Sequence, residues 1–152
     1  MSMKWQFEGN RVILRNAENF DLERTFECGQ CFRWRRLENG NWLGIVKGLA
    51  VEAECDGRDI VFHNMTPKDF AAVWHDYFDL GLDYGAVLRK LSEDDPVIRK
   101  AIAFAPGIRL LKQDFFETLI SFIISQNNNI PRIRKIIECL SENYGKPLEY
   151  EG

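Results

Sequence analysis

The stretch "FRWRRLENGNWLGIVKGLAVEAECDGRDIVFHN", Phe32 to Asn64, decides the fold. Three X-Gly pairs, Asn39-Gly40, Lys47-Gly48 and Asp56-Gly57, cut it at short, regular intervals into "FRWRRLE", "WLGIV", "LAVEAEC" and "RDIVFHN". Asn-Gly and Asp-Gly are strong hairpin signals, because a type I′ turn needs positive φ at both central residues. The stretch therefore predicts a four-stranded antiparallel meander with a turn at each pair.

Working outward, "RVIL" at Arg11 to Leu14 is expected to join the edge of this sheet. Between them, "NFDLERTF" spaces Phe20, Leu22 and Phe26 as a short helix would, leading into a Cys-Gly-Gln turn. Past Asn64 the period becomes helical. Thr66-Pro67-Lys68-Asp69 supplies an N-cap, a first-turn proline and an N3 carboxylate ahead of "FAAVWHDYF". Asp94-Asp95 and Pro96 start another helix, with Val97, Ile98, Ala101 and Ile102 as its buried stripe. "DFFETLISFIISQ" is apolar around most of its circumference and is expected to be surrounded by protein. The last helix, Pro131 to about Tyr144, carries Ile133, Ile136, Ile137 and Leu140 on one face. The segments at hand are few for the partners that the apolar helix needs, which is what a fragment would look like.

With 152 residues, 45% hydrophobic and 28% charged, the chain has the composition of an ordinary globular protein. A chain of that length buries roughly 68–70% of its unfolded surface, so it needs no staples. Its four cysteines come without a signal peptide, and the run "LISFII" is far short of the ~20 apolar residues of a membrane span. These features predict a soluble, intracellular protein with reduced thiols. The net charge of −3 gives no global field for a polyanion. Basic residues nevertheless cluster: Arg33, Arg35 and Arg36; Arg109 and Lys112; Arg132, Arg134 and Lys135. Solvated element faces would account for each cluster equally well.

Two constellations carry chemistry. In "FECGQCFRW", Phe26 to Trp34, Cys28 and Cys31 have the C-x-x-C spacing of redox enzymes and zinc half-sites, but Cys55, His63, His75 and Cys139 offer no companion ligand spacing. Trp34, Trp42 and Trp74 suit a core or sheet surface, and His75 beside Trp74 suits a helix surface. In "SQNNNIPRIRK", Ser125 to Lys135, three asparagines precede a helix start rich in cations. Asparagine tolerates left-handed backbone and caps helices. It also offers amide donors and acceptors beside helix N–H groups that favour anions, which suits nucleic acid.

Together these motifs resemble the 8-oxoguanine DNA glycosylases. Gly29, Gln30, Phe32, Arg33 and Trp34 match the family's G-Q-x-F-R-W pattern. "GIRLLKQDFFETLISFIISQNNNIPRI", Gly107 to Ile133, is similar to its second signature, and the resemblance runs from about Val12 to Tyr144. It implies an α+β fold: a TATA-binding-protein-like antiparallel sheet domain with helices over residues 1–105, then the truncated start of a helix-hairpin-helix glycosylase domain over residues 106–152. It also implies base flipping on double-stranded DNA, excision through a lysine Schiff base with strand nicking, no metal or cofactor, and a monomer when complete. No lysine here sits in the Leu-Pro-Gly-Val-Gly-like setting of the family's nucleophile, and the family's aspartate has no counterpart, so no catalytic residue is assigned and this chain alone is expected to be inactive.

The resemblance does assign readers. Oxidised guanine carries an N–H donor at N7 where guanine has an acceptor, so a carbonyl acceptor separates them. By similarity that acceptor is the main-chain carbonyl of Gly29. Arg132 matches the arginine that reads the abandoned cytosine, and Asn127 the asparagine that enters the vacated stack. Asn128 and Asn129 are expected to order the loop and cap the helix. A damage-binding module without chemistry and a C-x-x-C thiol oxidoreductase stand as the alternatives.

Overall fold

The computed structural model describes residues 3–150. Six strands form one antiparallel sheet in the order β1-β2-β6-β5-β4-β3. They are β1 (Lys4–Glu8), β2 (Arg11–Arg15), β3 (Trp34–Arg36), β4 (Trp42–Val46), β5 (Leu49–Asp56) and β6 (Asp59–His63). The meander from β3 to β6 is present as expected, and β2 pairs with its β6 edge.

Each X-Gly pair turns the chain in its own way. Lys47 and Gly48 both have positive φ, +50° and +77°, the requirement of a type I′ turn. At the next hairpin Asp56 pairs with Asp59, so the loop is Gly57-Arg58, with glycine at the first position as in a type II′ turn. At Asn39-Gly40 the loop is longer. The Leu37 N–H donates to the Asn41 carbonyl at 2.8 Å and Gly40 holds φ +89°.

β1 was not expected. The Glu8 and Arg11 partners flank Gly9-Asn10, where Gly9 has φ +62°, a two-residue hairpin by the same logic as the others. Its Trp5 and Phe7 pack on Phe70, ring centroids 5.4 and 5.6 Å away.

Val12, Leu14, Val51, Ala53 and Phe62 join Leu22, Phe26, Trp74 and Phe78 in one core between the sheet and the helices. The first of these helices is α1 (Leu22–Glu27), capped by Asp21. At the centre of the core Phe26 stacks flat on Trp34, centroids 3.8 Å apart, and the Trp34 indole N–H donates to the Tyr77 hydroxyl at 2.9 Å. Trp34, Trp42 and Trp74 are all buried. After β6, Thr66 caps α2 (Pro67–Asp69), which runs through a π-helical turn, Phe70–Trp74, into α3 (His75–Tyr77). Then come α4 (Tyr84–Asp94), α5 (Pro96–Phe104), α6 (Phe115–Ser125) and α7 (Ile130–Tyr144). Asp95 caps α5, accepting from the Val97 N–H at 2.6 Å; the Asp94 side chain lies outside the described residues. The chain is α+β, an antiparallel sheet followed by helices.

Two burial expectations need correction. α5 buries none of its residues fully, and Val97 is 73% exposed, because α5 packs on α4 and no described residue covers its Val97 side. α6 likewise leaves Phe115, Phe116, Phe122 and Ile123 exposed, since the described elements cover only one of its sides. On α7, Ile133 and Ile137 are buried, Ile136 is half-buried, and Leu140 is 39% exposed. Among the described residues no helix is long and apolar enough to cross a membrane.

Gly44, in the middle of β4, faces the Trp34 ring so closely that a Cβ there would overlap the indole. Gly44→Ala must displace Trp34 from its stack on Phe26, an overpacking that costs about 1–3 kcal/mol. A lowered urea midpoint is the expected result; an unchanged midpoint contradicts the packing.

Candidate nucleic-acid interface

α1 ends in the turn Cys28-Gly29-Gln30. Gly29 has φ +85°, and a Cβ on it would meet Ile130 Cδ1 of α7 at 3.3 Å. The left-handed backbone favours glycine here, and a Cβ would in addition make the Ile130 side chain give by a few tenths of an ångström. Among the described residues no hydrogen-bond donor reaches the Gly29 carbonyl.

Gln30 anchors this turn. Its amide nitrogen donates to the carbonyls of Thr25 at 2.9 Å and Arg109 at 2.7 Å, and its Oε1 accepts from the Leu111 N–H at 3.0 Å. Its own carbonyl accepts from Gln113 Nε2 at 2.5 Å. The two sequence signatures are thus bonded to each other across about eighty residues of chain. Nearby, the Asp21 N–H donates to the Gly107 carbonyl at 2.8 Å, and the Arg109 N–H to Thr25 Oγ1 at 3.2 Å.

The asparagines divide their work. Asn127 adopts φ +51°, and its exposed side chain has no hydrogen-bond partner among the described residues. Asn128 Nδ2 donates to the Ile124 carbonyl at 3.0 Å, closing the end of α6. Asn129 Oδ1 accepts from the Arg132 N–H at 3.1 Å and caps α7.

The basic clusters also separate. Arg109 is buried, with Nε on the Phe78 carbonyl at 2.9 Å, Nη2 on the Asp79 carbonyl at 2.7 Å, and its guanidinium 4.0 Å from the Tyr84 ring centroid. Burial pulls its basicity down. Lys112 pairs with Asp76 and Asp79, Arg36 with Glu23 and Arg134 with Glu27. Arg132 and Lys135 stay exposed, with no side-chain ion pair among the described residues. Sequence reasoning did not single out Glu117, in the first turn of α6. Burial raises its carboxyl against the field of Arg33.

Cys28 is exposed while Cys31 is buried beneath the turn. Burial pushes the Cys31 thiol up to about 12. A thiol that attacks disulfides must ionise readily and be accessible, and Cys31 meets neither condition.

This interlock of a glycine turn with an asparagine-capped helix on an antiparallel sheet defines a class, and comparison with known proteins identifies it. Residues 12–119 match the model of the 8-oxoguanine DNA glycosylase N-terminal domain, and the chain belongs to that family. N-glycosylase/DNA lyase OGG1 of Arabidopsis thaliana is 30% identical over 125 residues, covering 79% of this chain and 34% of the plant protein. The apo-form structure of the Clostridium acetobutylicum 8-oxoguanine glycosylase/lyase superposes with a TM-score of 0.92 at 49% identity, over 100% of this chain and 53% of that one. The same enzyme in complex with double-stranded DNA containing cytosine opposite 8-oxoguanine gives 0.93 at 49% identity, over 100% and 52%. The chain thus spans about a third to a half of the length of these relatives.

Gln30→Ala would leave the Thr25 and Arg109 carbonyls and the Leu111 N–H without their partner. With water reaching part of the site, the expected loss is about 2–3 kcal/mol in urea unfolding. A variant as stable as the parent would show that the amide is not what joins the two segments.

Proposed function

We propose that this chain is the lesion-reading half of a bifunctional DNA N-glycosylase and abasic-site lyase acting on 8-oxoguanine. The observation that carries the reading is the seating of Gly29 against Ile130. It brings a carbonyl free of protein donors beside a helix start whose Asn127 and Arg132 side chains have no protein partner among the described residues. The 49% identity to an enzyme solved on DNA with cytosine opposite 8-oxoguanine supports it.

In this reading double-stranded DNA is the partner. The flipped base offers its N7–H to the Gly29 carbonyl, a donor that undamaged guanine lacks. Asn127 fills the vacated stack, offsetting an unstacking cost of a few kcal/mol. The Arg132 fork bonds O2 and N3 of the abandoned cytosine. Residues 106–152 begin the helical domain, and the rest of that domain covers the exposed face of α6. The chemistry belongs to a lysine outside this chain: its amine attacks C1′, the glycosidic bond breaks, and the base leaves with the bonding electrons and takes up a proton. No metal or cofactor takes part, and the complete protein acts as a monomer.

The protein extended to the length of its relatives should release 8-oxoguanine and be trapped on DNA by borohydride. The 152-residue chain alone should do neither. Lesion-dependent trapping by the chain alone would overturn the assignment of the nucleophile.

Arg132→Ala in the extended protein should cost about 1–3 kcal/mol, mostly on lesions paired with cytosine. The measurement is single-turnover excision opposite each of the four bases at two salt concentrations. Lys135→Ala is the control, because Lys135 is exposed and lacks an ion pair among the described residues. A uniform loss across all four duplexes would reduce Arg132 to a phosphate contact.

A further inference from the structure

Arg132 and Arg134 stand two residues apart on α7, about 200° around the helix, so they face in nearly opposite directions. Arg132 is exposed, whereas Arg134 is half-buried on the side of Ile130, one helical turn before it, whose Cδ1 lies by Gly29. Its Nη1 donates to Glu27 Oε1 at 3.1 Å and its Nη2 to Glu27 Oε2 at 2.9 Å, a fork on both carboxylate oxygens. Nη2 also donates to the Phe26 carbonyl at 3.2 Å. Glu27 ends α1, two residues before Gly29, and Phe26 is fully buried in its stack on Trp34.

We propose that Arg134 is a positioning residue: with Ile130 it makes a two-point joint that fixes the Gly29 turn to the helix start carrying Asn127 and Arg132, so that lesion and opposing base are read by one rigid unit. This rests on the function proposed above. An exposed ion pair between flexible side chains contributes little. This one differs in its bidentate geometry and in a third bond to a carbonyl held by the core. Without the fork, α7 is held beside the Gly29 turn by apolar packing of Ile130, Ile133 and Ile137, which lacks the directionality of a bidentate pair. A displacement of about 1 Å between the two readers suffices to cost catalysis heavily.

Arg134→Met keeps the apolar stem and removes the fork; Arg134→Lys keeps the charge; Glu27→Gln keeps a neutral acceptor. Circular dichroism establishes which variants fold. In the extended protein Arg134→Met should slow single-turnover excision of 8-oxoguanine opposite cytosine on the order of tenfold and lower the preference for cytosine over adenine in parallel. Arg134→Lys should restore part of both, and Glu27→Gln should repeat the defect more mildly. On the 152-residue chain, amide exchange should rise in residues 26–30 and 127–134 of Arg134→Met while the strands stay protected. Unaltered rate and preference in Arg134→Met overturn the proposal, as does a slower rate with the cytosine preference and the exchange both intact. If the unaltered extended protein excises nothing, the proposed function fails. Exchange then decides the joint by itself: raised exchange in both segments upholds it, and unchanged exchange overturns it.

Discussion

The Gln30 side-chain amide is the constraint on which the junction of the Gly29 turn with the segment leading to α6 and α7 depends. It is a short, neutral group using both donors and its acceptor on backbone atoms of two distant segments, Thr25 on one side and Arg109 and Leu111 on the other. Isolated backbone groups at such a junction would cost more than each bond contributes, so the network favours one arrangement over its neighbours. Once it forms, α1 is fixed against the segment that feeds α6, and α6 leads directly to the asparagine triplet. Gly107 lies against Asp21 so closely that a Cβ there would meet Asp21 Cβ at 2.8 Å, which keeps the two backbones in contact. The turn carrying Gly29 and the helix carrying Arg132 are positioned by the same anchor.

Charge is distributed to match. A chain of net charge −3 has no basic surface at large, and half of its clustered cations, Arg36, Arg109, Lys112 and Arg134, are held by partners within the chain. Arg109 serves as a buried clamp on two carbonyls, Lys112 holds the end of α3, and Arg134 holds α1. The arginine left facing outward at the start of α7 is Arg132, beside helix N–H groups that already favour an anion. In the proposed function, selectivity comes from where a few groups are released, in contrast to an electrostatic field that would hold any nucleic acid.

The meander was legible because its turns are local: each X-Gly pair sets the backbone sign by its own sterics. Helix starts were legible for the same reason, with Thr66, Asp95 and Asn129 capping where their types and spacing placed them. β1 was missed although Lys4 to Glu8, "KWQFE", alternates polar and apolar strictly and Gly9-Asn10 carries the same turn signal. α4, capped by Asp83, went unremarked as well. The apolar stripes of α5 and α6 were real, yet burial depends on what lies opposite, and no described residue lies there. The site divides along the same line. Gly29 and the triplet stand out as motifs, but the Arg109 and Leu111 partners of Gln30 lie 79 and 81 residues away and the Glu27 partner of Arg134 lies 107 away, which no local pattern encodes.

In the proposed function a backbone carbonyl in a glycine turn tells damaged guanine from intact guanine by one donor. The most direct test leaves the protein unaltered and edits the base. 8-Oxo-7-thiaguanine keeps the 8-oxo group and places sulfur where 8-oxoguanine has its N7–H. With the Gly29 carbonyl then buried and unpaired, single-turnover excision by the extended protein should fall by about 5- to 150-fold, the equivalent of about 1–3 kcal/mol. Excision of the thia analogue at the rate of 8-oxoguanine would contradict the account.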